Sequence, residues 1–320
     1  MLRVAIVLMA LAVAGCARPQ PDVAGKSILI VQAHPGDERN LAPMLADACL
    51  FQGARCHFLI VADANSPDCA AVAMARASGA MLAPAPCSNR RRKEMLKSAA
   101  LLGGTAEFLG WDDLFYAHDR AGMIRTIDRW SGDGGRDRLV ARLMGIIGRR
   151  KPDMILASDP RHGSSCHPGR RATATLLAEA ISLMPTADRP ETWLEETRDI
   201  SKTGMGQRDD GALFVWPDNM APVTWYDGAK TLPNGWQAHR FSDLVHRLHA
   251  TQDLSPGGPS LAPAPERMRI PLIRLSDIDW RADMCDRLHI RLPTFDVAGN
   301  EERFVARMHV YGRGRAVKRE

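Results

Sequence analysis

The segment SILIVQAHPGDE, residues 27–38, constrains the fold of this chain more than any other segment. Its first half, Ser27–Gln32, is an uncharged run rich in Ile, Leu and Val, which is typical of a strand buried in a parallel sheet. The second half breaks the strand with His34-Pro35-Gly36 and two carboxylates. Open α/β folds bind ligands at the carboxyl ends of such strands. The sequence therefore predicts a metal site that includes His34 and Asp37.

Strand and helix patterns alternate after this segment. Short apolar runs predict strands, and apolar residues at helical spacing predict the helices between them. The predicted strands are Cys56–Ala62, Ala106–Gly110 and Asp153–Ser158, and the predicted helices are Asn40–Gln52, Arg90–Leu102, Arg136–Arg150 and Ala172–Met184. A break is predicted at Pro84-Ala85-Pro86, a weaker helix at Ala70–Ala80, and a loop with some helix at Trp111–Gly134. The alternation predicts an α/β fold with a doubly wound, mainly parallel sheet.

Three regions make up the predicted domain organisation. Residues 1–20 are a signal peptide, residues 25–255 the α/β domain, and residues 256–320 a C-terminal extension that contains strands. Within the last two regions the weaker patterns predict strands at Val223–Tyr226, Arg269–Leu275 and Arg287–Leu292, a helix at Phe241–Leu254 and a linker at Ser255–Pro265.

The first residues have the pattern of an export signal. Arg3 precedes the apolar stretch Val4–Ala14, which is shorter than the roughly 20 residues of a permanent membrane-spanning helix. The small residues Val13-Ala14-Gly15 before Cys16 resemble a bacterial lipobox, which implies a lipid anchor at Cys16. The alternative is an ordinary cleaved secretion signal with an incidental cysteine. Either interpretation predicts a protein that works outside the cytoplasm, with the lipobox placing it at the membrane and facing the periplasm.

Charge and cysteine usage narrow the partners. The net charge is +5 and the basic residues are scattered among acidic ones, so a nucleic-acid partner is not expected. Six cysteines remain beyond Cys16, and in an oxidising compartment they permit disulfides, although fifteen pairings are open. Proximity in the sequence suggests Cys49 with Cys56 and Cys69 with Cys87. Cys166 is expected to be half of a disulfide rather than a metal ligand.

A second polar constellation follows the fourth predicted strand. It reads DPRHGSSCHPGRR over residues 159–171 and contains His162 and His167. Because the carboxyl ends of parallel strands lie on the same rim of a sheet, this loop and the loop after the first strand are expected to meet. His34, Asp37 and either His162 or His167 could then converge.

With these two loops the chain resembles the LmbE-like (PIG-L) family of zinc-dependent N-deacetylases, which act on N-acetylated amino sugars and related conjugates. The family motif His-Pro-Asp-Asp-Glu corresponds to His34–Glu38, and the Arg-x-x-Glu helix start corresponds to Arg91–Glu94. His-Pro-Asp-His corresponds to His167–Arg170, and His-x-Ser-Gln to His249–Gln252. The four partial matches occur in the family's order.

The resemblance implies roles for individual residues. His34 and Asp37 are implied as zinc ligands, and His167 as the residue that steadies the oxyanion and the leaving group. The third family ligand falls on Arg170, whose guanidinium has no lone pair for a metal. The family's general base falls on Gly36, which has no side chain.

Substitutes for the missing groups are present in the chain. His167 is predicted to complete the zinc site, with His162 as the alternative, and Asp37 and His167 are the predicted catalytic residues. Glu38 and Asp159 are further candidates for the base. Arg91 and His249 are the predicted substrate-binding residues, although a surface cation and a packed helix residue are the respective alternatives.

Two functional hypotheses follow. The first is a membrane-anchored, zinc-dependent N-deacetylase that removes acetyl groups from an amino sugar or glycoconjugate in the cell envelope. The second is a catalytically degenerate relative that binds a carbohydrate or a protein partner without hydrolysis. His34, Asp37 and His167 favour the first hypothesis, whereas Gly36 and Arg170 favour the second.

Overall fold

The computed structural model describes residues 20–62, 84–112, 120–196, 224–252 and 269–278. Several predicted features lie outside these residues: most of the signal peptide with Cys16, the helix at 70–80, the pairing of Cys69, the linker at 255–265 and the strand at 287–292. Within the described residues, no helix has the length and the apolar character needed to cross a membrane.

A single seven-stranded sheet forms the centre of the described structure. Its strands are β1 (Ser27–Gln32), β2 (Arg55–Ala62), β3 (Thr105–Trp111), β4 (Met154–Ser158), β5 (Glu191–Glu195), β6 (Thr224–Asp227) and β7 (Arg269–Arg274), in the spatial order β3-β2-β1-β4-β5-β7-β6. Strands β1 to β5 pair in parallel, whereas β7 is antiparallel to both β5 and β6. The predicted α/β fold with a doubly wound, mainly parallel sheet is confirmed.

Helices cover both faces of the sheet. They are α1 (Ala42–Ala46), which continues as a π-type turn over Asp47–Phe51, α2 (Pro84–Leu101), α3 (Arg120–Ser131), α4 (Gly135–Arg150), α5 (Gly163–Cys166), α6 (Pro168–Leu183) and α7 (Arg240–Leu248). Ile28 and Ile30 of β1 pack on the face covered by α1, α2 and α7, and Leu29 and Val31 pack on the opposite face, covered by α3, α4 and α6. Because both faces of β1 are buried, its sequence is continuously apolar rather than alternating.

Helix α3 lies within Trp111–Gly134, the segment predicted as a loop with some helix, and its Trp130 packs against Trp111 with ring centroids 5.2 Å apart. Three other features differ from the sequence-based expectation. The predicted break at Pro84 is wrong, because prolines are compatible with the first turn of a helix and α2 begins there. Helix α7 ends at Leu248, six residues earlier than predicted. Strand β5 was not predicted.

The strand order places a switch point between β1 and β4. The chain leaves β1 for β2 on one side, whereas β4 lies on the other side of β1. In open α/β sheets, ligands bind in the crevice at such a point, outside the carboxyl ends of the strands. The loops that follow β1 and β4 both border this crevice, and they carry the two polar constellations of the sequence.

Disulfides tie the chain at two places. Cys49 is bonded to Cys56, which links the turn after α1 to β2 and confirms the pairing suggested by the sequence. Cys166 is also disulfide-bonded, as expected. Strand β7, from the predicted C-terminal extension, lies between β5 and β6, so residues 269–274 are part of the main sheet.

Candidate functional site at the carboxyl rim of the sheet

The loop after β1 curls so that an imidazole and a carboxylate lie side by side. Gly36 has a φ of 97°, a left-handed conformation that favours glycine, and a 3-10 turn follows over Asp37–Arg39. The backbone N–H of His34 donates to Oδ2 of Asp37 at 2.9 Å, and Nδ1 of His34 lies 3.5 Å from the same oxygen. Both side chains are buried. The local turn therefore fixes the relative position of the two predicted zinc ligands.

The loop after β4 brings His167 and Arg170 to this pair. His167 precedes the first turn of α6, and its ring meets the ring of His34 edge to face with centroids 4.6 Å apart. Arg170 donates from Nε at 2.8 Å and from a terminal nitrogen at 2.7 Å, both to Oδ1 of Asp37. The two loops thus meet as the sequence predicts, although the catalytic and metal-binding roles of these residues remain predictions.

Gly169 has a packing role that the sequence did not reveal. A Cβ at this position would lie 2.8 Å from both Cε1 and Nε2 of His34. Only glycine lets the first turn of α6 approach the imidazole this closely. The side chain that the family motif has at this position would not fit against His34.

The family's zinc ligands therefore do not fit the residues of this chain. A metal bound by His34 and Asp37 would have to share the carboxylate with the guanidinium of Arg170, which stays protonated and offers no lone pair. Two cations in contact with one buried carboxylate would repel each other strongly. Gly36 supplies no side chain that could act as the base.

The pKa of Asp37 makes it a poor replacement base. Burial raises the pKa of Asp37, but the charge of Arg170 and the hydrogen bonds from His34 outweigh burial and hold the pKa far below its usual range. A general base works best when its pKa lies near the working pH. Asp37 is therefore an ionised structural partner of Arg170 rather than a group ready to accept a proton.

Glu38 is a second candidate base that is already engaged. Oε2 accepts the backbone N–H of Gly36 at 2.8 Å, and Oε1 accepts the hydroxyl of Ser98 at 2.6 Å and contacts Nε2 of His249. Burial raises the pKa of Glu38, but His249 and these hydrogen bonds lower it below its usual value. Glu38 thus joins the loop after β1 to α2 and to the end of α7.

The predicted substrate-binding residues lie in this buried network. His249 is fully buried against Glu38 and caps the C-terminal end of α7 rather than continuing the helix. Arg91 is 6% exposed on α2. Glu94, from the same Arg-x-x-Glu motif, accepts the backbone N–H of Thr251 at 3.1 Å. The second and fourth motifs therefore meet in space, while the predicted roles of Arg91 and His249 toward a substrate remain predictions.

A separate buried group lies at the ends of β4 and β5. Asp159, His162 and Glu196 have ligand atoms within 4.8 Å of one another and, among the described residues, form the group with the geometry to hold a metal. However, Arg161 donates to both oxygens of Asp159 at 3.0 and 3.1 Å and to Glu196 at 2.7 Å. Sequence reasoning found His162 and Asp159 as alternatives but missed Glu196, which follows a strand that was not predicted.

Asp159 is also unsuited to the role of base. Burial raises its pKa, but His162 and the hydrogen bonds and charge of Arg161 lower it below the usual value for aspartate. Its carboxylate is fully buried. All three candidate bases of the rim therefore have lowered pKa values and occupied oxygens.

Comparison with known proteins agrees with this fold. Residues 29–181 match the family model described as "PIG-L: GlcNAc-PI de-N-acetylase". These residues form a PIG-L domain. The match covers β1 to β4 and most of α6, and so includes the rim residues of the first and third motifs. No curated protein sequence matches the chain.

Solved structures with a similar fold include PIG-L-type deacetylases. The A40926 pseudoaglycone deacetylase Dbv21 is 17% identical, with a TM-score of 0.51, over 78% of this chain and 98% of that chain. A triple mutant of a deacetylase of the teicoplanin biosynthetic pathway is 14% identical, with a TM-score of 0.50, over 78% and 98%. The N,N'-diacetylchitobiose deacetylase of Pyrococcus horikoshii is 18% identical, with a TM-score of 0.43, over 71% and 70%. At these identities the first two likenesses show the fold, and the predicted LmbE-like architecture is confirmed.

Proposed function

We propose that this chain is a PIG-L domain that binds an N-acetylated amino sugar or glycoconjugate without hydrolysing it. The observation that carries this proposal is the contact of Arg170 with Asp37. The guanidinium donates twice to Oδ1, at 2.8 and 2.7 Å, and so occupies the carboxylate that a catalytic metal would need. The side chains at the family's zinc-ligand positions do not fit a zinc ion that would activate water for hydrolysis.

The fold supports a ligand site at the carboxyl rim of the sheet. The crevice at the β1/β4 switch point is where open α/β sheets bind their ligands. His34 and Asp37 border it from one side and His167 and Arg170 from the other, and Arg170 keeps 19% of its side chain exposed. The ligand class is carried over from the family description, which names an N-acetylglucosamine conjugate.

A zinc-dependent N-deacetylase is the second candidate. Two observations favour it: the family match itself, and the contact between His34 and His167 beside Asp37, which keeps the predicted metal set together. A metal that displaced Arg170 from Asp37 would make the carboxylate available as a ligand beside His34 and His167. The two candidates therefore differ in one measurable property, the release of acetate in the presence of zinc.

Export to the cell envelope is also part of the proposal. The disulfide between Cys49 and Cys56 and the disulfide-bonded state of Cys166 fit an oxidising compartment. The lipobox-like segment before Cys16 supports attachment to the membrane through a lipid. Labelling cells with a radioactive fatty acid, with Cys16→Ala as the matched variant, tests the anchor: the label should follow the wild-type chain and be lost from the variant.

Binding and acetate release are measured on the same purified chain. Isothermal titration with N-acetylglucosamine conjugates should show binding, with the corresponding unacetylated amino sugars as the control ligands. Acetate release with and without added zinc should stay at the background rate. His34→Ala tests the crevice, and His57→Ala, at the distant β2–β3 edge, is the matched control.

Three outcomes separate the candidates. Binding that is lost in His34→Ala and kept in His57→Ala, without acetate release, supports the proposal. Zinc-dependent acetate release that His34→Ala abolishes would replace it with the deacetylase. If no conjugate tested binds and none releases acetate, both candidates are contradicted.

A further inference from the structure

Buried carboxylates stand at the carboxyl ends of three strands, and one short part of the chain supplies arginines to all of them. Asp37 follows β1 and contacts Arg170. Asp159 follows β4 and Glu196 follows β5, and both contact Arg161. The two arginines lie between the end of β4 and the first turn of α6. Each of the three carboxylates is therefore in contact with an arginine of the chain itself.

The contacts of Arg161 are those of a bound cation. The side chains of Asp159 and Glu196 are fully buried, and that of Arg161 is 3% exposed. Nε of Arg161 lies 3.0 and 3.1 Å from the two oxygens of Asp159, and a terminal nitrogen lies 2.7 Å from Glu196. One guanidinium thus bridges two carboxylates that come from neighbouring strands.

The same carboxylates and His162 have the arrangement of a metal site. Their ligand atoms lie within 4.8 Å of one another, and two carboxylates with an imidazole are a set that zinc accepts. Two adjacent buried carboxylates are strongly unfavourable unless a cation compensates them. Arg161 supplies that cation within the described structure.

We propose that Arg161 is the resident cation of this group, a guanidinium in the position that a divalent metal ion would otherwise take, and that it fixes the segment carrying His167 and Arg170 to the sheet. Arg161 would hold this role whether or not the crevice hydrolyses its ligand.

The contacts around Arg161 explain how it acts on the crevice. The backbone N–H of Asp159 donates to the carbonyl of Glu195 at 3.1 Å, so Asp159 is held to the end of β5. Nε of Arg171, which is fully buried, donates to the carbonyl of Pro160 at 3.2 Å. The segment is therefore secured at its start by Arg161 and at its end by Arg171. Arg161 is a positioning residue, because it acts on the crevice through this segment.

The test removes the positive charge of Arg161 and then adds zinc as a replacement cation. Arg161→Met keeps an apolar stem but leaves Asp159 and Glu196 without their guanidinium. We expect the variant to melt at a lower temperature than the wild type in EDTA, and to recover when zinc chloride is added. Its zinc affinity should be at least about tenfold higher than that of the wild type, whose melting temperature zinc should leave unchanged.

Matched variants separate a resident cation from an ordinary ion pair. Arg161→Lys keeps a positive charge and should show no recovery with zinc. Arg161→Met combined with His162→Ala should lose the zinc response, because one ligand is gone. Arg136→Met removes an exposed ion pair with Glu179 and should be insensitive to zinc.

Three results would overturn the proposal. Arg161→Met could be as stable as the wild type in EDTA, it could be destabilised but indifferent to zinc, or zinc could stabilise both proteins equally. If Arg161→Met does not fold, the double variant that also carries Glu196→Gln tests the proposal, because it buries one uncompensated negative charge fewer. We expect this double variant to fold. If it does not fold either, the resident-cation role is contradicted.

Discussion

Arg170 and Asp37 form the contact on which the assignment of this crevice depends. The same two residues are a lost ligand and a kept ligand of the family motif. In the structure they are partners, since both donors of Arg170 point to one carboxylate oxygen. A substitution that would disable a zinc hydrolase is thus compensated by a local ion pair.

Replacing Arg170 measures how much this ion pair contributes to the free energy of unfolding. Arg170→Met leaves Asp37 buried without its guanidinium, and we expect a loss of about 1–3 kcal/mol, less than for a fully buried pair because Arg170 is partly exposed. Chemical denaturation at pH 7 measures the loss, with Arg136→Met as the exposed control, for which a change within about 0.5 kcal/mol is expected. An equal loss in both variants would contradict a special role for Arg170.

The pH dependence of Arg170→Met has a definite sign. Because the folded-state pKa of Asp37 is lowered, its stabilising contribution is present above the unfolded value of about 3.9 and is lost as the pH falls through the lower folded value. The stability difference between wild type and variant should therefore be largest near neutral pH and shrink below about pH 4. Denaturation curves at several pH values check this, and a difference that grows toward acid would contradict it.

Glu38 and His249 form the second pair whose removal has a clear expectation. Both side chains are fully buried, so Glu38→Gln leaves His249 with only the more distant carboxylate of Glu94, 4.0 Å away. We expect a loss of about 3–5 kcal/mol at pH 7, and a smaller one below the unfolded pKa of glutamate, since the folded pKa of Glu38 is lowered. Urea denaturation measures it. A change under about 1 kcal/mol would contradict a stabilising role for this network.

At the scale of elements, the approach of α6 to the loop after β1 determines the shape of the crevice. Gly169→Ala places a methyl group 2.8 Å from the His34 ring, so α6 or the imidazole must move, and we expect a destabilisation of about 1–3 kcal/mol together with weaker ligand binding. Gly148→Ala in α4, where no atom lies within 4 Å, is the control and should be neutral or stabilising by up to about 1 kcal/mol. Thermal unfolding and ligand titration of both variants test this prediction. Equal melting temperatures and equal ligand affinities for the two variants would contradict the close packing of α6 on His34.

The disulfide at the end of α1 contributes at the same scale. Cys49 and Cys56 are seven positions apart in the sequence, and closure of a loop of that length predicts a stabilisation of about 2–3 kcal/mol. A Cys49→Ala/Cys56→Ala variant should lose this amount in urea denaturation without a reducing agent, which leaves the bond of Cys166 intact. No loss would indicate that packing of α1 on β2 is sufficient.

For the whole molecule, the sequence predicts the sheet because its central strands are buried on both faces. Continuous apolar runs make up most of β1 and β4 and residues 58–62 of β2, and these strands are found at the predicted places. Strand β5 was missed because charged residues stand at both ends of ETWLE, and the burial of Glu195 and Glu196 depends on neighbours that the sequence does not reveal. The bounds of helix α3 were not predicted, because its burial depends on packing against Trp111.

The crevice was only half predictable for a similar reason. The motif residues His34, Asp37 and His167 could be placed on one rim from strand topology alone. Strand topology does not predict the direction in which a guanidinium points. The sequence therefore excluded Arg170 as a metal ligand without revealing its contact with Asp37. Ser98 and Glu196 contribute to the rim from distant parts of the chain and have no local pattern around them.

The zinc content of the wild-type chain tests the account most directly. The purified protein is incubated with excess zinc, desalted and analysed by mass spectrometry of the metal, beside His34→Ala. Because arginines already compensate the rim carboxylates, we predict well below one zinc per chain and no difference between the two proteins. One zinc per wild-type chain that is lost in His34→Ala would contradict the account and restore the metal-dependent deacetylase.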